Sequence, residues 1–392
     1  MLSNERREKN ISVMRNIVLY IFMSCAAVVM AQRTITMSEG LLTENERATL
    51  GLAEADSAIT ATVFASADTT DHYCNGAVVT MFGGRLYCMW QSSARDEDEA
   101  TTCIRFSTSD DEGLTWSPSE VLQTALDGAH CTSGGWMATR DTLVAYVNVW
   151  PDTLSVVGGY AYCKISTDGV EWSDLEPVRM ADGSRVDGVI EQDPHQTLHG
   201  RVVGAVHFMP GLHVSPVYTD DQRGVTGWRR GSFECTDKGK QSRELEPSLY
   251  VTADSLVVMV FRDQSSSFRK LAAVSRDNGE TWTNSFETGI PDCRSKQCAG
   301  NLPDGRSFLV GCPVMSKNRY PLVVMLSRDG WTFDKAYLLR SGDDLSARQY
   351  EGRFKTEGYN YPKALVTLRY LYVSYATNKE AIQVTRIPIG SL

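Results

Sequence analysis

The sequence is short of positive charge, of zinc-type cysteine pairs and of long apolar runs, and each shortage excludes a class of protein. Its 392 residues carry 39 Lys and Arg against 48 Asp and Glu, a net charge of −9, which disfavours binding to nucleic-acid phosphates. No CxxC pair or Cys/His cluster with zinc spacing occurs among the ten cysteines. Cys293 and Cys298, in a loop-like stretch, are the best candidates for a disulfide. Apolar residues make up 42% of the chain, which excludes disorder as its main state.

One apolar run, 16–31, follows basic residues and ends in small residues before Gln32. It is shorter than the roughly 20 residues that a membrane span needs and has the layout of a secretory signal. We therefore predict a signal peptide over 1–31 and a single domain over 32–392, in a secreted, periplasmic or extracellular protein. No later run approaches the length of a membrane span, and the residues before Cys25 fit a lipid-attachment signal poorly.

A short motif recurs along the chain. The pattern S-x-D-x-G-x-T-W occurs at 109–116 and 275–282, shorter versions occur at 166–172 and 327–333, and a degenerate copy occurs at 219–228. Asp followed by Gly favours a tight turn, and the closing aromatic residue can pack beneath it. Alternating or apolar β-like runs lie between the copies, and no long segment has helical periodicity. A repeat of about 55 residues holds four strands with their turns, which is one propeller blade.

The motif resembles the Asp-box of sialidases and other BNR-repeat β-propellers. The resemblance implies an all-β, sialidase-like β-propeller with four-stranded blades, in which the boxes lie at the blade periphery and have a structural role. Residues 32–392 divide into about 6.6 repeats, so six and seven blades are both open.

The richest polar cluster lies in the first predicted blade. His72 and Asn75 precede one apolar strand, Gln91 ends the next, and Arg95 follows it. An antiparallel hairpin pairs the start of one strand with the end of the other, so we expect His72 and Gln91 at the same end. The alternative is that Asn75-Gly76 is only a turn and the acidic run after Arg95 only a solvated loop.

Other candidate site residues recur near predicted strand ends, where propeller loops converge on the channel. Arg at a strand end can hold a carboxylate with two hydrogen bonds, so the recurrence of Arg and Glu suggests an acidic sugar as ligand. Each residue alone is more often part of a surface ion pair. The candidates are His195, His207, Glu246, Arg262, Arg353 and Tyr361.

Two enzyme groups resemble this chain in their site residues. In sialidases, Glu246, Arg262 and Tyr361 would correspond to the Glu, one Arg and the Tyr, although the F/Y-R-I-P segment of that group is absent. The first blade is more similar to ulvan-lyase-like propellers and to those that cleave rhamnosyl-α-1,4-glucuronate.

In the second group, the resemblance rests on His72 before Asn75-Gly76 and on a strand ending in Trp90-Gln91. It implies that His72 or a Tyr is the base, with Tyr146 as the Tyr by position. Gln91 falls near the place of a second His and can only orient the substrate. Arg262 or Arg353 would neutralise the uronate.

These resemblances imply three functions. The first is a glycosidase or polysaccharide lyase that releases L-rhamnose from uronic-acid-bearing glycans such as arabinogalactan. The alternatives are an exo-α-sialidase or other exo-glycosidase, and a glycan-binding propeller without catalysis. We expect a monomer whose partner is an acidic glycan, without nucleic acid and without a cofactor. A structural Ca²⁺ is left open, although no EF-hand motif occurs.

Overall fold

Antiparallel β-sheets make up nearly all of the regular structure in the computed structural model, which describes residues 33–197 and 200–392. Residues 35–392 form one folded unit. The predicted signal peptide, 1–31, lies outside the described residues. In the part described, no helix is long and apolar enough to cross a membrane.

Six sheets follow one another along the chain, and each runs from an inner to an outer strand. Two strands precede them, β1 (Thr36–Met37) and β2 (Ile59–Ala65). Blade 1 contains β3 (Tyr73–Phe82), β4 (Arg85–Ser93), β5 (Cys103–Ser109) and β6 (Glu120–Gln123). Blade 2 contains β7 (Ala129–Ala138), β8 (Leu143–Pro151), β9 (Tyr160–Ser166) and β10 (Glu176–Pro177). Blade 3 has a divided inner strand, and its members are β11 (Gly188–Val189), β12 (His195–Gln196), β13 (Val202–Phe208), β14 (His213–Thr219) and β15 (Arg229–Arg230).

The other three blades complete the ring. Blade 4 contains β16 (Glu244–Val251), β17 (Val257–Asp263), β18 (Arg269–Ser275) and β19 (Phe286–Pro291). Blade 5 contains β20 (Cys298–Asn301), β21 (Ser307–Gly311), β22 (Leu322–Ser327) and β24 (Lys335–Arg340), with the short β23 (Thr332–Phe333) before β24. Blade 6 contains β25 (Tyr359–Val366), β26 (Tyr370–Thr377) and β27 (Ala381–Pro388). Two short 3-10 helices cover Gly342–Asp344 and Ile389–Ser391.

The ring is closed by the start of the chain. Strand β2 pairs antiparallel with β27 and is the fourth strand of blade 6. Residues 36–58 run along blade 5, where β1 pairs with β23 and Glu54 bridges to Leu338. Because this segment forms no blade of its own, the structure has six blades, one of the two numbers that the sequence left open.

Apolar side chains fill the spaces between neighbouring blades. The described residues contain six clusters of buried apolar side chains, and each joins two adjacent blades. Between blades 1 and 2, for example, Trp136 packs in the same cluster as Val78 and donates its indole N–H to the Val78 carbonyl at 3.0 Å. Each part of the core therefore lies between two neighbouring blades, and the inner strands line the hub.

The Asp-boxes connect the third and fourth strands of blades 1 to 5. In blade 4, the Thr281 amide donates to Asp277 Oδ1 at 2.8 Å, and the Gly279 amide donates to Ser275 Oγ at 2.8 Å. The degenerate copy is also closed by its Asp, since the Thr226 amide donates to Asp221 at 3.0 Å. Blade 6 lacks a box because its fourth strand, β2, comes from the other end of the chain.

Replacement of Asp277 by Ala removes the acceptor that closes the blade 4 turn. We expect the free energy of unfolding to fall by about 1 kcal/mol. Any activity should stay unchanged, because the box lies at the opposite end of the blade from the loops that precede the inner strands. Urea unfolding measures the loss. Asp277→Asn, which keeps one acceptor oxygen, should lose less. An equal loss in both variants would show that the charge, rather than the accepted hydrogen bonds, stabilises the turn.

The predicted Cys293–Cys298 disulfide is wrong. All nine cysteines in the described part of the chain are free. Cys298 begins the inner strand β20 and is buried beside Ser248 of blade 4, with 4.0 Å between Ser248 Oγ and Cys298 Sγ. Cys293 instead lies next to Cys312.

Candidate active site

A β-bulge interrupts the inner strand near its start in blades 1, 2, 4 and 6. In blades 1 and 2, glycines occupy the positive-φ position, Gly76 at 64° and Gly135 at 133°. In blades 4 and 6, that position is occupied by Glu246 at 51° and Tyr361 at 55°. Left-handed backbone is strained for such side chains, at a cost of about 1–3 kcal/mol each, and it concentrates at functional sites. The two bulges therefore mark a candidate site at this end of the hub.

Glu246 and Tyr361 meet there, together with Arg262 from the end of β17. Arg262 Nη1 lies 3.1 and 3.2 Å from the two carboxylate oxygens of Glu246, and the Tyr361 hydroxyl interacts with the same carboxylate. Both members of the ion pair are largely shielded from solvent. The bulges turn the Glu and Tyr side chains toward each other from blades that are two apart in the ring.

The charge states of this pair follow from its surroundings. Burial alone would raise the pKa of Glu246, but Arg262, Lys296 and the Tyr361 hydroxyl outweigh it and lower that pKa to about 2. Burial, reinforced by the Glu246 charge, raises the pKa of Tyr361 well above its usual value. At neutral pH the site thus holds an ionised carboxylate beside a protonated phenol. A phenol next to a base can act as a nucleophile.

Side chains form hydrogen bonds with both the backbone amide and the backbone carbonyl of Glu246. Its amide donates to His207 Nε2 at 3.1 Å. Burial lowers the pKa of His207, so this imidazole is neutral and carries its proton on Nδ1. The Glu246 carbonyl accepts from Gln297 Nε2 at 3.0 Å, and Gln297 is in turn fixed by Lys270 Nζ at 3.0 Å. Lys270 is itself buried and pairs with Asp292 at 2.9 Å.

Three more cations surround Tyr361. Lys296 Nζ, the Arg319 guanidinium carbon and Lys379 Nζ lie 4.7, 5.4 and 5.6 Å from the centre of its ring. Lys296 forms an ion pair with Glu191 at 2.6 Å. With Arg262 they bring four cations to the hub. Arg262, Lys296 and Lys379 are each paired with a carboxylate, whereas Arg319 has no carboxylate partner among the described residues. Such a cluster suits an anionic ligand.

The loop after β4 completes the site on the blade 1 side. Glu97 accepts from the Tyr73 hydroxyl at 2.7 Å and from Lys379 Nζ at 2.6 Å. The next residue, Asp98, has a half-exposed carboxylate, and its Oδ1 lies 3.7 Å from His130 Nε2. Blade 1 faces blade 4 across a six-membered ring. Carboxylates of this loop therefore lie across the hub from Arg262.

Five of the residues chosen from the sequence fall within or beside this cluster. Glu246, Arg262 and Tyr361 are brought together, and His207 contacts the Glu246 backbone. Asn75 donates weakly to Glu97, with 3.4 Å between the two atoms.

Three others lie on the rim beside blades 1 and 6, and a fourth, Gln91, is buried beside Tyr73. The His72 ring stacks on Tyr350 with 4.0 Å between centroids, and its Nε2 is buried without a hydrogen-bond partner among the described residues. Gln91 pairs with Asn75 in the predicted hairpin and donates to the Tyr73 hydroxyl at 3.3 Å. Arg353 and Arg95 both face Asp96, at 3.1 and 3.7 Å.

Tyr146 and His195 do not join the group, contrary to the positions expected for them. The Tyr146 hydroxyl donates to the Gly224 carbonyl in the Asp-box turn of blade 3, at 2.9 Å, so its side chain is enclosed between blades 2 and 3. His195 lies in β12, paired with Val203. Burial lowers its pKa to about 4, which keeps the ring neutral within the blade wall.

Sequence reasoning missed Glu97, Lys296, Gln297, Arg319 and Lys379. None of them belongs to a motif. Lys296 and Gln297 directly precede the inner strand β20, and Lys379 follows β26, positions whose loops open on the same face as Glu246. A search of these two loop classes for every charged residue, rather than for Arg alone, would have found the four charged residues but not Gln297.

No site for the Ca²⁺ that the sequence left open is identified. Within residues 33–197 and 200–392, no group of three or more His, Cys, Asp or Glu side chains is arranged to hold a metal ion.

The six blades, the five boxes and the hub cluster define a sialidase-like β-propeller. The BNR repeat-like domain family matches residues 84–373, well over half of the chain, and the chain belongs to that family. Among curated proteins, no relative matches.

Solved structures of similar fold include sialidases. One is described simply as a sialidase, with 15% identity and a TM-score of 0.66 over 91% of this chain, although the match covers only 35% of that longer protein. A Dyadobacter fermentans protein of unknown function is 16% identical with a TM-score of 0.65, over 85% of this chain and 100% of its own. The Hadza microbial sialidase Hz136 is 14% identical with a TM-score of 0.65, over 85% of this chain and 69% of its own. At these identities the likeness establishes the fold alone.

Proposed function

We propose that this protein is an exo-acting glycosidase that removes a terminal carboxylated sugar, sialic acid, from glycans. The observation that carries the proposal is the Glu246–Tyr361 pair inside a ring of cations. The cations would hold the sugar carboxylate, and the pair would attack the anomeric carbon. The sialidases of similar fold support this choice of substrate.

The chemistry requires a nucleophile, a base and an acid. The Tyr361 oxygen forms a bond to the anomeric carbon while Glu246 takes the phenolic proton, and the glycosidic C–O bond breaks. In sialic acid the anomeric carbon bears the carboxylate, so an attacking anion would be repelled. A neutral phenol that loses its proton during attack avoids that repulsion.

The leaving oxygen needs a proton from the opposite side. We assign this role to Asp98, the half-exposed carboxylate on the blade 1 loop, across the hub from Arg262. Once the leaving group departs, water attacks the anomeric carbon while Asp98 takes a proton from that water. The bond between this carbon and the Tyr361 oxygen breaks, and Glu246 returns its proton to that oxygen. Two displacements at one carbon give net retention of configuration.

Release of L-rhamnose from uronate-bearing glycans is the second candidate. The observation that favours it is the same cation cluster, since a glucuronate carboxylate would also be neutralised by Arg262 and its neighbours. It is weaker because Gln91 cannot exchange protons, and because the Tyr146 hydroxyl is occupied by the Gly224 carbonyl.

A product assay distinguishes the candidates. The purified protein is incubated separately with sialyllactose and with gum arabic, and proton NMR follows the first sugar released. We expect α-sialic acid from sialyllactose, the retained anomer. Initial formation of the β-anomer would contradict Tyr361 as nucleophile. Rhamnose from gum arabic, with or without the ultraviolet absorbance of an unsaturated uronate, would instead establish the second candidate.

A further inference from the structure

The rim of blade 2 beside the candidate site presents an ordered aromatic surface. Trp150 near the end of β8 pairs with His130 near the start of β7, and their rings are parallel at 6.1 Å between centroids. The indole N–H donates to Thr132 Oγ1 at 2.8 Å. This hydrogen bond fixes the ring, while Trp150 remains partly exposed.

Exposed apolar side chains lie in the segments before β7 and after β8. Leu126 precedes β7, and Val156 and Val157 lie in the loop after β8, with exposed fractions of 39%, 39% and 52%. The two segments are tied together, because the Asp152 amide donates to the Gly128 carbonyl at 2.9 Å. Exposed apolar groups clustered beside an active site are typical of a binding surface.

The same rim carries negative charge. Asp98 lies 3.7 Å from one nitrogen of His130, and Asp152 lies 4.0 Å from the other. Both carboxylates are more than half exposed. Both His130 nitrogens are buried and have no hydrogen-bond partner among the described residues. The rim is thus aromatic and acidic, whereas the hub next to it contains four cations.

The position of the blade 2 rim determines which part of a bound substrate could contact that rim. Asp98 follows Glu97, whose carboxylate binds Lys379 and Tyr73 at the hub. With the carboxylate of the terminal sugar held by Arg262 and Arg319, the leaving group would extend toward blade 1 and the adjoining rim of blade 2.

We propose that the rim formed by Leu126, His130, Trp150, Asp152, Val156 and Val157 binds the sugar next to the cleaved bond and selects a neutral hexose there. This inference rests on the proposed function. The apolar face of a hexose can pack on the Trp150 indole as it does on other aromatic rings, and its hydroxyls can donate to Asp152. A second carboxylated sugar would meet the Asp152 carboxylate and be repelled.

Trp150→Ala tests the platform with two substrates that share their terminal sugar. We expect kcat/KM for sialyllactose to fall about tenfold, the size of one lost aromatic stacking contact. For methyl sialoside, whose leaving group is too small to reach the rim, kcat/KM should stay within about twofold. Trp150→Phe keeps an aromatic face and is the matched control, expected to retain most activity on both. Equal losses on both substrates, or no loss on either, would overturn the inference.

Asp152→Asn tests the charge selection. With a disialoside as substrate, we expect the wild type to be less efficient than with sialyllactose and the variant to recover about two- to threefold, because one repulsive charge is removed. Because Asp152 also accepts from the hexose of sialyllactose, kcat/KM for that substrate should fall slightly, and the ratio of the disialoside value to the sialyllactose value is the readout. A wild type that cleaves both substrates equally well, or a variant without recovery, would contradict the selection. A wild type that releases no sialic acid from methyl sialoside or sialyllactose would refute the proposed function itself.

Discussion

Tyr361→Phe is expected to lower kcat by at least about a thousandfold, because it removes the protein atom that forms a bond to the anomeric carbon in the proposed mechanism. The phenyl ring keeps its packing between Lys296, Arg319 and Lys379, so the fold and the cation cluster should persist. Steady-state kinetics on sialyllactose measures the effect, and far-ultraviolet circular dichroism checks the fold.

Tyr359→Phe is the matched control, two residues earlier on the same strand. Its hydroxyl donates to the Ser341 carbonyl at 2.7 Å within the wall of blade 6. Loss of that hydrogen bond should reduce stability by about 1 kcal/mol and leave kcat within about twofold. If Tyr361→Phe retained a kcat as high as this control, Tyr361 could not be the nucleophile.

Lys270→Met is expected to reduce the free energy of unfolding by about 3 kcal/mol, because it leaves the Asp292 carboxylate buried without its cation. The Asp292 side chain is fully buried, and Lys270 Nζ lies 2.9 Å from it. The substitution also releases Gln297, which holds the Glu246 carbonyl. We therefore expect kcat to fall as well. Guanidinium unfolding monitored by tryptophan fluorescence measures the stability.

Arg85→Met provides the comparison at the surface. Arg85 pairs with Asp110 at 2.7 Å, but both side chains are well exposed, and such pairs contribute about 0–1 kcal/mol. The two variants remove the same kind of charge from ion pairs of similar length. Equal losses would mean that burial of Asp292 carries no additional cost, contrary to this account of the hub.

The propeller could be predicted because its signal is local. A turn in which Asp accepts backbone amides and Gly takes positive φ depends on a few adjacent residues, so the boxes at 109–116 and 275–282 are visible in the sequence. Blade number could not be predicted in the same way. It depends on β2 pairing with β27 across the whole length of the chain, and no local pattern records such a pairing.

The site was predicted only in part for a related reason. Glu246 and Tyr361 each precede a proline, Pro247 and Pro362, in an inner strand. Proline cannot donate to a strand ladder and is tolerated at bulges, so these dipeptides were a usable signal for the strained positions. Lys296 and Lys379 carry no such signal, because their role comes from the loops that the ring brings together.

The seam between the first and last strands determines how the ring would open under tension. Ile59, where β2 begins, lies opposite Arg386 near the end of β27, and Ala65 lies opposite Ala381. A pull that separates residue 59 from residue 388 therefore loads the hydrogen bonds of this pair one after another, as in a zipper, rather than all at once in shear. A ring pulled at these two positions would thus begin to open at this seam, one hydrogen bond at a time.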